Sequence, residues 1–394
     1  MVKLFDIIGD EFMSIYFDNS ATTRPFPETV SAMVAAMEEG YYNPSALYGP
    51  AVEASRTIQK VREQFAAVLR VRPEEVIFTS GGTESNNLAL MGFARHLRGK
   101  AHLLVNPSEH SSVHEVYLEL QRRGHEVEFL ENDESGCVTE EILKRHMRQD
   151  TAMVSVMHVN NESGAVNDIE TLARTAKTIN PNCMFHSDGV QAFLKVPAVD
   201  LKHIDAYTIS GHKFHGPRGS GVCYVKKDSF IQQILFGGSQ EGHMRPGTEN
   251  GPAIIGMGAA LAQYLKHHEE YISRILAVKH RLYGNLSRLG GTRLNGPMID
   301  ASAPQILSVG FMGANAETMV NALAERGIYC GTGSACSSRA VGKNRTLNAM
   351  KVPAQFMAGT LRFSFSYENT LEEADIVSAA LGEILTRLRR FRRR

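Results

Sequence analysis

Residues 210–217 have the sequence SGHKFHGP, and residues 186–191 have the sequence HSDGVQ. Lys213 in the first stretch lies between small polar residues and a glycine-proline turn, a setting that suits a cleft better than a packed core. A lysine amine forms Schiff bases with carbonyl compounds, and Asp188 in the second stretch could pair with a cationic ring nitrogen. Either residue alone is more often a surface lysine or a strand-end cap, so other parts of the chain must support this interpretation.

The composition restricts the class of protein. A chain of 394 residues exceeds one ordinary hydrophobic core, which predicts two domains. Its 42 basic and 42 acidic residues balance, which argues against direct nucleic-acid binding. The sequence has no apolar run near the roughly 18 residues of a membrane span, so no membrane association is expected. Residues 1–13 lack the apolar core of a secretory signal and are predicted to be an N-terminal extension.

The order of apolar segments predicts an α/β fold. Between residues 75 and 225, short apolar runs alternate with amphipathic ones, which indicates a doubly wound, mostly parallel sheet. Ligands of such sheets bind beyond the carboxyl ends of the strands. Apolar residues at helical spacing predict one long helix over 256–289, and mixed strands and helices follow it in a smaller α+β domain. The predicted domains are a large cofactor-binding domain, 14–260, and a small domain, 261–394.

A glycine-rich turn between a predicted strand and a predicted helix is a candidate phosphate site. Residues 80–87 have the sequence SGGTESNN. Gly82 would allow close approach of an anion to the helix N-terminus, and Thr83 would add a hydroxyl group. An ordinary capped helix start explains the same residues when they are taken alone.

Polar residues at other strand ends could complete a ligand site. His110 could stack on a planar ring and move protons, because its pKa lies near neutrality. Asn160 could donate to a ring oxygen, and Arg362 could bind a carboxylate with two parallel hydrogen bonds. In isolation, a helix-start histidine, a turn asparagine and a solvent-facing strand arginine are the simpler interpretations.

The cysteines indicate a reducing compartment. Their number is odd and none forms a Cys-x-x-Cys pair, so neither a disulfide framework nor a zinc site is expected, and the predicted location is cytoplasmic. Cys336 differs from the others because its neighbours are small and polar, with Arg339 and Lys343 close by. Nearby positive charge favours the thiolate, which predicts a nucleophile on a flexible segment.

Together these motifs resemble those of the cysteine desulfurases, in the class V aminotransferase group of fold-type I pyridoxal phosphate (PLP) enzymes. The resemblance extends from YFDNSATT at residues 16–23 to about Phe365. Its most specific parts are SGHK at 210–213, RPGT at 245–248 and GSACSS at 333–338. The last stretch is similar to the subgroup with a longer, mobile cysteine loop.

The resemblance implies a role for each candidate residue. Lys213 would hold PLP covalently, Asp188 would pair with its ring nitrogen, and Gln191 would contact its phenolic oxygen. Asn160 would lie near that oxygen and the substrate carboxylate, and His110 would stack on the ring. The residues implied to bind the phosphate are Gly82, Thr83, Ser210 and His212, together with Thr248 from a second subunit of a homodimer. Arg362 would bind the substrate carboxylate.

The implied reaction converts L-cysteine to L-alanine and leaves the sulfur on Cys336 as a persulfide. The sulfur would then pass to an acceptor protein for iron–sulfur cluster assembly or tRNA thiolation. A selenocysteine lyase, an aminotransferase or a β-lyase of the same fold is an alternative, although an aminotransferase needs no thiol such as Cys336. A non-enzymatic binding subunit is a third hypothesis, which the presence of Lys213, Asp188, His110 and Cys336 disfavours. The arginine-rich tail, 387–394, is either a solvated helix end or a contact for RNA or an acidic partner.

Overall fold

The computed structural model describes residues 14–332 and 344–391. The strands are β1 (Ile15–Phe17), β2 (Val76–Thr79), β3 (His102–Val105), β4 (Glu126–Phe129), β5 (Thr151–Ser155), β6 (Met184–Asp188), β7 (Ala206–Ser210), β8 (Gly221–Val225), β9 (Thr292–Leu294), β10 (Ile306–Phe311), β11 (Ile328–Cys330) and β12 (Thr360–Ser364). The helices are α1 (Pro27–Glu38), α2 (Gly49–Leu69), α3 (Gly82–Ala94), α4 (Ser111–Arg122), α5 (Glu140–His146), α6 (Ile169–Ile179), α7 (Gly251–Lys266), α8 (His268–Leu286), α9 (Ala316–Ala324), α10 (Arg345–Ala349), α11 (Ala354–Met357) and α12 (Leu371–Phe391). Within these ranges, no helix is long and apolar enough to cross a membrane.

The central sheet confirms the predicted α/β class. Its strand order is β2-β8-β7-β6-β5-β3-β4, and strands β3 to β7 run parallel. Strand β8 is antiparallel to both of its neighbours, β7 and β2. Only residues 211–220 separate β7 from β8, and so short a connection allows an antiparallel return but no parallel crossover.

Helices on both faces of the sheet explain why its strands are apolar runs. Strands β3 and β6 are buried along their whole length, as expected for parallel strands covered on both faces. Helix α4 covers one face with Val113, Val116 and Leu120, which recur at helical spacing and are buried. The flanking helices therefore leave the carboxyl edge of the sheet as the natural place for a ligand.

A second hydrophobic core lies under the C-terminal part of the chain. Strands β9, β10 and β12 form an antiparallel sheet, and β1 pairs in parallel with β11. Phe17 of β1 is buried in the same cluster as Leu282, Val309 and Phe363. The N-terminal strand thus packs with the C-terminal core, while the division of the chain at residue 260 stays a prediction.

The helix predicted over 256–289 is wrong as a single element. The chain forms α7 and α8, which are separated at His267, where φ is −118° and ψ is 18°. Helix α7 packs against α1 and α2, beside the core of the central sheet. Helix α8 packs against α12 in the second, C-terminal core. The periodicity of apolar residues continues across the break because both helices bury one face, but they bury it against different partners.

Gly189 directly follows β6, and an added side chain there would overlap the ring of Tyr207. An ideal Cβ atom at Gly189 would lie 1.9 Å from Cζ of Tyr207. We expect Gly189→Ala to lower the free energy of unfolding by about 1–3 kcal/mol, because overpacking displaces neighbouring groups. The matched control is Gly284→Ala in α8, where a Cβ atom meets nothing within 4 Å. Urea-unfolding midpoints compare the two variants, and a Gly189→Ala midpoint at or above that of the unmodified protein would contradict the overlap.

Candidate active site

Most of the predicted site residues converge on one cavity of about 390 Å³ at the carboxyl ends of the parallel strands. The predicted residues that line it are Gly82, Thr83, His110, Asp188, Gln191, Ser210, His212, Lys213 and Arg362. They come from segments that are far apart in sequence and that meet because parallel strands end at one edge of the sheet. The cavity therefore lies where the fold class predicts a ligand site.

The N-terminus of α3 forms one end of the cavity. Gly81 has a φ of 144°, a conformation that side chains with a Cβ atom rarely adopt. A Cβ atom on Gly82 would lie 2.9 Å from Cγ2 of Val190, so the turn packs tightly against the segment that follows Asp188. The first N–H groups of a helix have no intrahelical acceptors, and they favour an anion such as phosphate. Thr83 lines the cavity at this helix end.

Lys213 lies at the end of the turn that follows β7. Its Nζ atom donates to the carbonyl oxygens of Ser20 and Ala21, each at 2.7 Å. The N-terminal segment therefore positions the amine at the cavity. Next to it, burial lowers the pKa of His212 to about 3, and the charge of Lys213 adds to this effect.

Asp188 is a buried carboxylate at the end of β6. The residue is only 4% exposed. Its Oδ1 atom accepts from the backbone N–H of Val190 at 2.9 Å, and its Oδ2 atom accepts from Nδ2 of Asn86 at 2.8 Å. Two fixed donors orient the carboxylate and compensate part of the cost of burying it.

His110 precedes α4 and uses Nδ1 as a hydrogen-bond acceptor. The backbone N–H of Ser112 donates to this atom at 3.2 Å. Burial lowers the pKa of His110 below its ordinary value of 6.5; Asp188 opposes this effect, and Lys213 and Arg345 add to it. At neutral pH the ring is therefore neutral, with its proton on Nε2.

The buried side chain of Gln191 has one acceptor that no described residue uses. Its Nε2 atom donates to the carbonyl oxygen of Ser20 at 2.9 Å, which fixes the orientation of the amide. Its Oε1 atom is buried and has no hydrogen-bond partner among the described residues. Because buried acceptors are normally satisfied, this oxygen fits a donor supplied by a bound molecule.

Arg362 enters the cavity from β12 of the second core. Its Nη2 atom donates to Oδ1 of Asp18 at 2.7 Å, and its Nη1 atom donates to the carbonyl oxygen of Asn161 at 3.2 Å. The residue is 4% exposed, and its Nε atom is buried without a partner in the part of the chain that the structure describes. An arginine held in this way can present its remaining N–H donors to an anion.

Other predicted residues lie apart from the cavity or beyond the described ranges. Oδ1 of Asn160 accepts from the backbone N–H groups of Glu162 and Ser163, so its side chain closes the turn after β5, and it does not line the cavity. Thr248 lies in an exposed loop and does not line the cavity of its own chain. Cys336 lies outside the described residues.

Several residues in or near the cavity were missed in the sequence, and four of them affect the charge or hydrogen bonding of the site. Glu109, beside His110, is buried; burial raises the pKa of its carboxyl group well above the usual range, and Asp188 adds to this. Asn86 lies one turn into the helix that begins at Gly82. The others are Arg345, which lines the cavity, and Lys195, whose pKa burial lowers to about 7, with Lys213 adding. Asn86 lies within the quoted stretch 80–87 and Glu109 directly precedes His110, whereas nothing local in the sequence distinguishes the other two.

Comparison with known proteins establishes the family. Residues 15–377 match the family model for the class-V aminotransferases. This match covers most of the chain, so the protein belongs to the class-V aminotransferase family, as its motifs predicted.

The relatives of the chain include several named cysteine desulfurases. Cysteine desulfurase IscS of Methanosarcina thermophila is 37% identical over 386 residues, which is 97% of this chain and 94% of that protein. Cysteine desulfurase IscS of Dictyoglomus turgidum is 35% identical over 379 residues, or 95% of each chain. Among solved structures, a NifS-like protein has a TM-score of 0.89 at 34% identity and covers 95% of this chain and 100% of its own. SspA in complex with cysteine has a TM-score of 0.78 at 28% identity, covering 89% of this chain and 99% of its own.

The cofactor of this family is PLP, and the cavity fits it. The helix N-terminus at Gly82 suits its phosphate, and Asp188 suits its ring nitrogen. The unused oxygen of Gln191 suits a donor on the ring, and Lys213 suits its aldehyde carbon. The same cavity thus contains a site for the phosphate, a carboxylate and an acceptor for the ring, and an amine for the aldehyde carbon.

Buried neutral histidines around the site should make stability depend on pH. Burial lowers the pKa of His215, two residues after Lys213, from 6.5 to about 4. The unfolded chain takes up this proton below pH 6.5 and the folded protein does not, so the stabilising contribution is complete above pH 6.5 and is lost as the pH falls. We expect His215→Gln to reduce the dependence of unfolding free energy on pH by about 1.4 kcal/mol per pH unit between 6 and 4.5.

Urea unfolding at several pH values measures this dependence. The matched control is His280→Gln, because His280 lies on α8 with its side chain 44% exposed. Equal pH dependence in His215→Gln and in the unmodified protein would show that folding does not lower the pKa of His215.

Proposed function

We propose that this protein is a PLP-dependent cysteine desulfurase that converts L-cysteine to L-alanine and passes the sulfur to an acceptor. The observation that carries the proposal is the convergence of Lys213, Asp188 and His110 on one cavity, in a chain that also has a cysteine in a polar segment. The similarity to named cysteine desulfurases over almost the whole chain supports the same conclusion. A non-enzymatic subunit would have no need of this combination.

The cavity residues divide the work between binding and proton transfer. When bound, PLP supplies an electron sink for bond changes at the α carbon of the substrate. Arg362 binds the substrate carboxylate and so orients the α carbon, because a charge-assisted hydrogen bond has a defined direction. The Lys213 amine would accept the α proton of the substrate and return it. His110 holds a proton on Nε2 that it can share with the substrate.

Cys336 is the proposed sulfur acceptor of the enzyme. Its thiolate attacks the sulfur of the substrate, so that a sulfur–sulfur bond forms as the carbon–sulfur bond breaks. The electron pair of the broken bond passes to the β carbon, which takes up the proton lost from the Cys336 thiol. The products are L-alanine and a persulfide on Cys336, and L-cysteine and the enzyme thiol together supply all their atoms. An acceptor protein for iron–sulfur cluster assembly or tRNA thiolation then takes the terminal sulfur.

The working enzyme is proposed to be a cytoplasmic homodimer. Helix α1 exposes three apolar side chains at helical spacing, Val30, Val34 and Met37, between 45% and 52% exposed. An exposed apolar stripe of this kind is typical of an interface between subunits. Thr248 in its exposed loop is available to the phosphate of the other subunit. The free thiols of Cys137, Cys183, Cys223 and Cys330 support a reducing compartment.

Separate variants of Lys213 and Cys336 should remove different steps. Lys213→Ala should lose the absorbance of the covalently held cofactor and lower alanine production at least about 100-fold, because the acid–base group is missing. Cys336→Ala should keep this absorbance but form neither persulfide nor sulfide. The matched control is Cys137→Ala, a half-buried cysteine that donates to the carbonyl oxygen of Val166.

The measurements are the cofactor spectrum, alanine release and mapping of the persulfide by mass spectrometry after incubation with L-cysteine. Full alanine production by Cys336→Ala would refute the persulfide mechanism. A cofactor spectrum unchanged in Lys213→Ala would refute the assignment of that lysine.

Arg362→Gln should raise the KM for L-cysteine by about 10- to 100-fold, because a hydrogen bond to a charged group contributes about 1.5–3 kcal/mol. Steady-state kinetics measure this change. Arg281→Gln is the matched control, since Arg281 pairs with Asp375 on the surface and exposed pairs contribute little. A KM that stays at the unmodified value in Arg362→Gln would exclude this arginine from carboxylate binding.

A further inference from the structure

A chain of buried hydrogen bonds joins Asp188 to His110 through two residues that the proposed reaction does not use. Nδ2 of Asn86 lies 2.8 Å from Oδ2 of Asp188 and 2.8 Å from the hydroxyl oxygen of Ser112. That hydroxyl lies 2.8 Å from Nδ1 of His110. Asn86 is fully buried, and Ser112 is buried with 9% exposure, so water does not compete for these bonds.

The direction of the bonds at His110 follows from the backbone. The N–H of Ser112 can only donate, and it donates to Nδ1 of His110, so Nδ1 carries no proton. The Ser112 hydroxyl must therefore also donate to Nδ1. Its lone pairs are then available to Asn86, whose amide nitrogen is a donor.

The orientation of the Asn86 amide is fixed by Asp188 on one side and by His186 on the other. An ionised carboxylate only accepts, so the amide nitrogen must face Asp188, and the amide oxygen points away from it. That oxygen lies 3.1 Å from Nε2 of His186, which therefore donates, while Nδ1 of His186 accepts from the hydroxyl of Ser155 at 2.7 Å. Burial lowers the pKa of His186 to about 3, so this histidine stays neutral and keeps its direction.

We propose that Asn86 is a positioning residue that couples the carboxylate of Asp188 to the tautomer of His110. One N–H of its amide holds Asp188 and the other holds the Ser112 hydroxyl, so both groups are oriented by a single rigid side chain. His110 then presents its proton on Nε2, while Nδ1 is occupied by two donors. The catalytic meaning of this role rests on the proposed function, in which Asp188 and His110 both act on the cofactor.

The coupling makes the protonation of His110 depend on these hydrogen bonds. Donors to Nδ1 stabilise the neutral ring, so loss of one should make His110 easier to protonate. The charged or titratable groups that face His110 are Asp188, Lys213 and Arg345, and Glu109 is its neighbour in sequence. None of these is removed by a change at Asn86 or Ser112, so a shift in such variants reports the hydrogen bonds themselves.

Titration of His110 in the holoenzyme tests the coupling. Protein labelled with ¹⁵N-histidine gives the ring nitrogen shifts, and the His110 signal is assigned by its absence in His110→Gln. We expect an unprotonated Nδ1 and a protonated Nε2 in the unmodified protein. Ser112→Ala removes one donor to Nδ1 and should raise the pKa of His110 by about 0.5–1 unit, the equivalent of one neutral hydrogen bond. Asn86→Ala leaves the Ser112 hydroxyl free to turn away from Nδ1 and should shift the pKa of His110 in the same direction.

The absorbance of the bound cofactor provides a second readout, because Asp188 is the proposed partner of its ring nitrogen. The pH dependence of the cofactor absorbance should shift in Asn86→Ala. The matched control is Ser85→Ala, which removes a fully buried hydroxyl next to Asn86 in α3, one bonded at 2.7 Å to the hydroxyl of Thr79. Neither titration should change in this control.

Two results would overturn the coupling. One is a His110 titration in Asn86→Ala that equals that of the unmodified protein. The other is an unprotonated Nε2 in the unmodified protein. If Asn86→Ala does not fold, an unchanged His110 titration in Ser112→Ala alone is sufficient to overturn it. Loss of the proposed enzymatic function would be recognised separately, by absence of alanine production in the unmodified protein with an intact His110 signal.

Discussion

The buried carboxylate of Asp188 is the interaction on which the site depends. A carboxylate removed from water is stable only where fixed donors replace its hydration. Val190 supplies a backbone donor from the turn after β6, and Asn86 supplies a side-chain donor from α3. The turn at Gly189 and the position of α3 against the sheet therefore depend on each other, because each places a donor on one of the two carboxylate oxygens of Asp188.

The segment that leaves β1 connects the two cores to the site. Asp18 pairs with Arg362 from the second core, and the carbonyl oxygens of Ser20 and Ala21 accept from Lys213 on the first. Ser20 also accepts from Gln191. Asp18, Ser20 and Ala21 thus fix the position of the proposed substrate-binding arginine relative to the proposed cofactor lysine. The packing of β1 with the C-terminal core places these three residues between the two side chains.

The sequence predicted those parts of the site that lie in short motifs at strand ends. Lys213, Asp188 and His110 were recognisable because parallel strands bring their carboxyl ends together, so local patterns were enough. Arg345 and Lys195 were not recognisable, because their proximity to the site depends on packing between segments that are distant in the chain. The break at His267 was missed for a related reason: each helix keeps its apolar periodicity, and only the choice of packing partner separates them.

The amino-acid sequence by itself determined the fold class, the cofactor chemistry and the family, because alternating apolar runs and reactive side chains in fixed motifs are local properties. Only the tertiary structure decided which hydrogen-bonding atoms meet. The orientations of the Asn86 and Gln191 amides follow from distances of about 3 Å between residues 100 and 171 positions apart. Hydrogen bonds act at such distances and in set directions, so no pattern along the chain could specify them.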